Sequence, residues 1–188
     1  LVIVSLKESM NSTQGAHAQG QYHMHTSYEL RGTIRHPSLG AWLNYMAGPL
    51  NETLPGHVAI NSGIYHASGG FLESKFTPLP IGSAEEGLKN SIRAEHVSSD
   101  TFDRRMARLR EMNESFRGQY DTKEVRAYGD MYDQALSLMD SQDLSAFDLT
   151  QESEAMRDAY GSDPFGRGCL LARRLIEHDV RFVEVVNS

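Results

Sequence analysis

A single cysteine, Cys169, in 188 residues excludes an internal disulfide framework and any zinc site built from several thiolates. It falls inside a helical pattern, which suits a buried structural thiol. No apolar run approaches the roughly 20 residues of a membrane-spanning helix. Basic residues are in deficit. The 18 Lys and Arg against 25 Asp and Glu give a formal net charge of −7, which argues against a general nucleic-acid binder. Also missing are a Walker phosphate loop, a dinucleotide fingerprint and a Gly-x-Ser-x-Gly nucleophile elbow. Arg173 and Arg174 lie within a helical pattern, so they are no twin-arginine export signal. What remains, 39% hydrophobic and 23% charged, is the composition of a globular chain with one substantial core.

The opening stretch is the most informative. Leu1, Val2, Ile3, Val4 and Leu6 form a nearly continuous apolar run rich in β-branched residues. A strand covered on both faces has that composition, as in a parallel α/β sheet. The run breaks into Asn11-Ser12-Thr13-Gln14-Gly15-Ala16-His17 and then into a helical stretch. Ligands of open α/β sheets bind beyond the carboxyl ends of the strands, and a helix starting there offers free N–H groups to an anion such as phosphate or sulfate. Ser12 and Thr13 stand at that mouth as hydroxyls, with Asn11 before them and His17 about one turn on. The same residues also suit an ordinary helix cap.

Further along, Arg35-His36-Pro37-Ser38 opens a helix with Pro37 at its first position; Leu39, Trp42, Leu43 and Met46 carry its spacing, and Gly48-Pro49 ends it. Residues 57–61 follow the Leu54-Pro55-Gly56 turn as a short strand. Residues 63–91, rich in Gly and Pro, read as a long irregular segment of the kind that often carries function. Phe102, Met106, Leu109, Met112 and Phe116 then repeat at helical spacing until Gly118. Asp121 with Glu124 resembles a capping box for a second helix through Val125, Tyr128, Tyr132, Ala135 and Met139. The two predict an antiparallel helical pair over residues 99–140, a side lobe within one domain spanning 1–188. A short helix over 152–160 stops at Gly161. Asp163-Pro164 starts the last helix with a cap and an N1 proline, its apolar face carrying Phe165, Cys169, Ala172, Leu175 and Ile176. A strand over 180–186 closes the chain. Helix running into buried strand is the second half of a βαβ unit. The fold class is therefore α/β, a mostly parallel sheet flanked by helices. A start without Met inside one strand-like run, and an end just after another, lead us to expect a partial chain.

His23-Met24-His25 has the His-x-His spacing of some metal sites, but on a helix the two imidazoles point about 200° apart, which disfavours a shared ion. His57 and His66 flank the irregular segment, where pocket-lining and surface roles are both open; the surface role is the simpler expectation.

Phe165 to Val185, FGRGCLLARRLIEHDVRFVEV, resembles the signature of domain-of-unknown-function family 1501, a sulfatase-like family of the alkaline phosphatase superfamily. Asn11 to Leu43 resembles that family's loop and the helices after it, and LPGHVAI, Leu54 to Ile60, its next strand. The resemblance covers essentially the whole chain and is most specific in the Leu-Leu-Ala-Arg-Arg-Leu run. It implies an alkaline phosphatase-like core, hydrolysis of a phosphate or sulfate ester (a small molecule or a sulfated or phosphorylated glycan), two divalent metal ions such as zinc, manganese or calcium, and an exported or periplasmic location. Asn11-Ser12-Thr13-Gln14-Gly15 is similar to the Asn-Ser-x-x-Gly nucleophile loop of metal-dependent phosphoglycerate mutases in the same superfamily. On that match Ser12 is the nucleophile, Thr13 its close competitor, and Asn11 and His17 contact substrate. Cys169 lacks the Cys-x-Pro-x-Arg context of a sulfatase's modified cysteine. Family members also carry an aspartate-bearing segment before the first strand and a Gly-Trp-Asp-x-His segment after the last. Neither is present, so most metal ligands are missing and this stretch alone is expected to be inactive. The competing expectation is a binding or assembly module on a degenerate form of the same fold, working through the Gly/Pro segment and the helical pair.

Overall fold

The computed structural model describes residues 17–62, 68–89 and 91–187. The strand expected over residues 1–6, and with it Asn11, Ser12 and Thr13, lies outside the described residues, as does His66.

The fold is α/β. Three short strands, β1 (His57–Ile60), β2 (Leu79–Ile81) and β3 (Phe182–Val185), form a parallel sheet in the order β2-β1-β3. Val58 pairs with Leu79 on one side and with Val183 on the other. All four β1 residues are buried, as a strand covered on both faces requires. β2 corrects the sequence reading, which left residues 63–91 irregular. Its middle residue is Pro80, exposed at the sheet's margin, and an edge strand tolerates a proline because no ladder hydrogen bond is needed from that nitrogen.

Among the described residues there are six α-helices. The first two, α1 (His17–Thr26) and α2 (Leu39–Ala47), precede β1. Helix α2 begins two residues later than Pro37 predicted: Ser38 is the cap, its Oγ accepting from the Ala41 N–H at 3.3 Å, and Pro37 stands before it. Gly48 ends α2 at φ +68°, a backbone conformation glycine adopts freely. Arg181, just before β3, donates to the Ala47 and Gly48 carbonyls at that end, where a cation suits the helix dipole.

Two long helices follow, α3 (Ser99–Gln119) and α4 (Lys123–Met139). Gly118 does not end α3, which runs one residue past it. The cap of α4 is Thr122, accepting from the Val125 N–H, one residue later than the capping-box reading; Asp121 instead pairs with Arg126 at 2.7 Å. A 3₁₀ segment, Gln142–Phe147, which buries Ala146 and Phe147, leads to α5 (Glu154–Tyr160) and α6 (Pro164–Glu177).

The core lies between the sheet and α6. Val58, Ile60, Leu170, Leu171, Leu175 and Val180 are essentially inaccessible to solvent, each such side chain contributing roughly 1.5–3 kcal/mol of burial free energy. The buried line of α6 runs through Gly166, Leu170, Leu171, Arg174 and Leu175; Phe165, expected on that face, is exposed. Gly168 permits the close approach: a Cβ there would sit 2.7 Å from Val185 Cγ1. Arg174 is buried within this layer. Its guanidinium donates to the Ser145 and Ala146 carbonyls at 3.0 and 3.2 Å and to Glu152 at 2.6 Å, which satisfies a charge that would otherwise be costly to bury.

Candidate functional site

Because the strands are parallel, their carboxyl ends share one edge, at Asn61, Gly82 and Val186. Asn61 follows β1 at φ +55°, in the left-handed region that asparagine tolerates better than most residues. Its backbone N–H donates to the Ile81 carbonyl at 2.8 Å, and the Val186 N–H donates to the Ile60 carbonyl at 3.0 Å. Its side-chain amide donates to the Pro164 carbonyl at 3.0 Å, which places the start of α6 at this same edge. The free N–H groups there are already taken: Asp163 Oδ1 accepts from Phe165 and Gly166, both at 3.0 Å. The start of α6 is therefore capped by its own carboxylate and does not offer itself to an anion. Helix α1 opens at His17, the first of the described residues.

The sheet face opposite α6 carries the polar side chains. Parallel pairing puts His57 beside Phe182 and Ala59 beside Glu184. His57 is 1% exposed, so the surface position expected from sequence is incorrect. It is buried because Gly40 lets α2 press onto it: a Cβ on Gly40 would fall 2.5 Å from the imidazole Cε1. His57 also meets the Phe182 ring edge-on, with centroids 5.1 Å apart. Glu184 lies beside it. Oε1 is 3.0 Å from Nδ1 of His25 on α1, and Oε2 is 4.0 Å from Nε2 of His57. A carboxylate between two imidazoles fixes the orientation of the rings. His23 is exposed while His25 turns inward, as helical geometry requires of residues two apart.

Sequence reasoning passed over Glu184. The available signal was a lone carboxylate in an otherwise apolar strand, where an unpartnered charge is not sustainable. His57 gave a weaker signal, since its burial depends on a glycine 17 positions away in sequence. Among the described residues, no three His, Cys, Asp or Glu side chains come together as a metal ion would require. Cys169 is half-buried, and burial together with the nearby Asp163 carboxylate pushes its thiol above the ordinary range, which disfavours the thiolate a nucleophile needs. No described helix is long and apolar enough to cross a membrane.

A family model described as "Protein of unknown function (DUF1501)" matches residues 3–188. No curated protein matches the chain, and no solved structure does.

Proposed function

Because the chain belongs to the DUF1501 family of proteins of unknown function, we propose from its own residues and from its resemblance to the alkaline phosphatase superfamily that it is a hydrolase of phosphate or sulfate esters, with Ser12 or Thr13 as nucleophile. The observation that carries the reading is the parallel sheet whose strands end together at Asn61, Gly82 and Val186, the edge where open α/β sheets take their ligands. In sequence Ser12 and Thr13 come shortly before α1, which opens at His17, and a helix start suits an anionic ester. In the reaction the hydroxyl oxygen bonds to phosphorus or sulfur and the bond to the ester oxygen breaks. The alcohol leaves with a proton, and water then hydrolyses the seryl or threonyl ester to release phosphate or sulfate. The described residues do not by themselves fit the two-ion centre that the resemblance implies. Such ions would draw their ligands from other side chains.

The test is turnover of aryl phosphates and aryl sulfates by the full-length protein, with and without added zinc, manganese or calcium. Ser12→Ala combined with Thr13→Ala is expected to abolish it. No turnover across a broad ester panel by metal-loaded protein, or turnover indifferent to both substitutions, overturns the reading.

A second reading, a binding or assembly module, is favoured by the apolar side chains on the surface of α3 and α4, among them Met112, Phe116 and Met131. Metal analysis separates the two readings: two bound ions per chain favour the hydrolase, and none after careful loading favours the module.

A further inference from the structure

Polar contacts set the pose of α1. Of its described apolar side chains, Tyr22 is buried and Met24 half-buried. The Tyr22 hydroxyl accepts from the His36 N–H ahead of α2. Thr26 turns its hydroxyl back onto the helix's own Tyr22 carbonyl at 2.7 Å. His25 ties the helix to the sheet, its Nδ1 3.0 Å from Glu184 Oε1. Glu184 is itself firmly held. It belongs to β3, which pairs along its length with the buried strand β1. Its second oxygen is 4.0 Å from His57 Nε2, and that ring is pinned between Gly40 of α2 and Phe182.

At its other end α1 opens at His17. Three residues, Gln14, Gly15 and Ala16, separate it from Thr13, a tether of at most about 14 Å when fully extended. We propose that Glu184 is a positioning residue for ester hydrolysis. Through His25 it fixes the pose of α1, and through α1 it sets the aim of the Ser12 or Thr13 hydroxyl; this rests on the hydrolase reading above. The lever is short. His25 lies about 12 Å along the helix axis from His17, so a tilt of about 5° shifts one end against the other by about 1 Å. A nucleophile must come within about 3–3.5 Å of the atom it attacks, and a misplacement of about 1 Å can cost about a hundredfold in rate. Glu184 makes no contact with the ester in this scheme. Its loss therefore falls on kcat and spares KM.

The experiment compares wild type with Glu184→Gln, His25→Ala and His25→Asn in the full-length, metal-loaded protein. Two quantities are read: amide hydrogen exchange over residues 17–26, and turnover of an aryl phosphate and an aryl sulfate. Glu184→Gln and His25→Ala are expected to speed exchange in α1 at least about tenfold. Both are expected to lower kcat at least about tenfold, with KM within about twofold. An asparagine carries its amide N–H close to where Nδ1 stood, so His25→Asn is expected to recover most of both losses. Arg174→Met controls for stability alone, since Arg174 lies on the opposite face of the sheet among the contacts of α6. It is expected to change neither α1 exchange nor kcat by more than about twofold. Unchanged exchange in α1, a loss confined to KM, no recovery by His25→Asn, or an equal fall of kcat in Arg174→Met overturns the role of Glu184 and leaves the hydrolase reading standing. No turnover by wild type removes that reading, and the role of Glu184 with it.

Discussion

Nδ1 of His25, in the last turn of α1, lies 3.0 Å from Oε1 of Glu184 on β3, so one carboxylate fastens a helix to the sheet face on which His57 is buried. Both side chains of the pair are mostly hidden, at 14% and 16% exposure. Partly buried pairs are screened less than surface ones.

Glu184→Gln keeps the shape and removes the charge. Stability at neutral pH is expected to fall by about 1–2 kcal/mol, the usual loss when a hydrogen bond to a charged group is replaced by a neutral one. Urea unfolding reads this as a lower midpoint at unchanged slope. An unchanged midpoint would show that α1 is held by packing alone.

Gly40→Ala tests the packing over His57. The new methyl would lie 2.5 Å from His57 Cε1 and 2.5 Å from Phe182 Cδ1, so both rings must shift. The expected cost is about 1–3 kcal/mol of overpacking, read as a lower Tm. Gly32→Ala is the control, because nothing lies within 4 Å of its added methyl; its Tm is expected to stay within about a degree or to rise slightly.

Local chemistry made much of this architecture readable and distance in sequence hid the rest. The Asp163-Pro164 start of α6 and the Gly161 stop of α5 are complete signals within four residues, and the structure has both. The strand expected over 57–61 was announced by the Leu54-Pro55-Gly56 turn, and it ends one residue earlier, at Ile60. By contrast, β2 is three residues long with a proline at its centre, and only its place beside β1 makes it a strand. The shift of the α2 start from Pro37 to Ser38 is a choice between two competent terminators, settled by which side chain reaches the Ala41 N–H. The polar group at His25, His57 and Glu184 joins residues as far as 159 positions apart. No spacing rule links them, although a solitary Glu in an apolar strand was a fair warning.

Arg174 carries the next prediction. Removing its guanidinium leaves the Ser145 and Ala146 carbonyls without their donor and takes from Glu152, 11% exposed, its closest cation. Arg174→Met is expected to destabilise by about 3 kcal/mol, the cost of breaking a buried charge pair from one side. Arg174→Lys is expected to recover only part, because an ammonium cannot reproduce the fork that reaches three acceptors at once. Equal stability of the Lys variant and the wild type in urea would count against the clamp.

Asp143 makes the fold acid-sensitive at a defined point. Its carboxylate accepts from the Thr53 hydroxyl at 2.6 Å and from the Asn51 amide at 3.0 Å. The Thr53 bond first, and the Asn51 bond next, hold its pKa below the ordinary 3.8. The folded pKa is therefore lower than the unfolded one, and the unfolded chain binds the proton more readily. The stabilisation is fully present above the unfolded value and is lost as pH falls from there through the folded pKa. Asp143→Asn keeps most of the shape but cannot titrate. Wild type is expected to be the more stable of the two at neutral pH, with the gap closing as pH falls from about 5 to about 3. Asp148 and Glu177 are also held low, by Thr150 and Arg173 respectively, but they are common to both proteins and cancel in the difference. The measurement is the urea midpoint of each protein across that range. A gap that stays constant with pH would mean that Asp143 has the same proton affinity folded and unfolded, and that the Asn51–Thr53–Asp143 network gives the fold no charge-dependent hold.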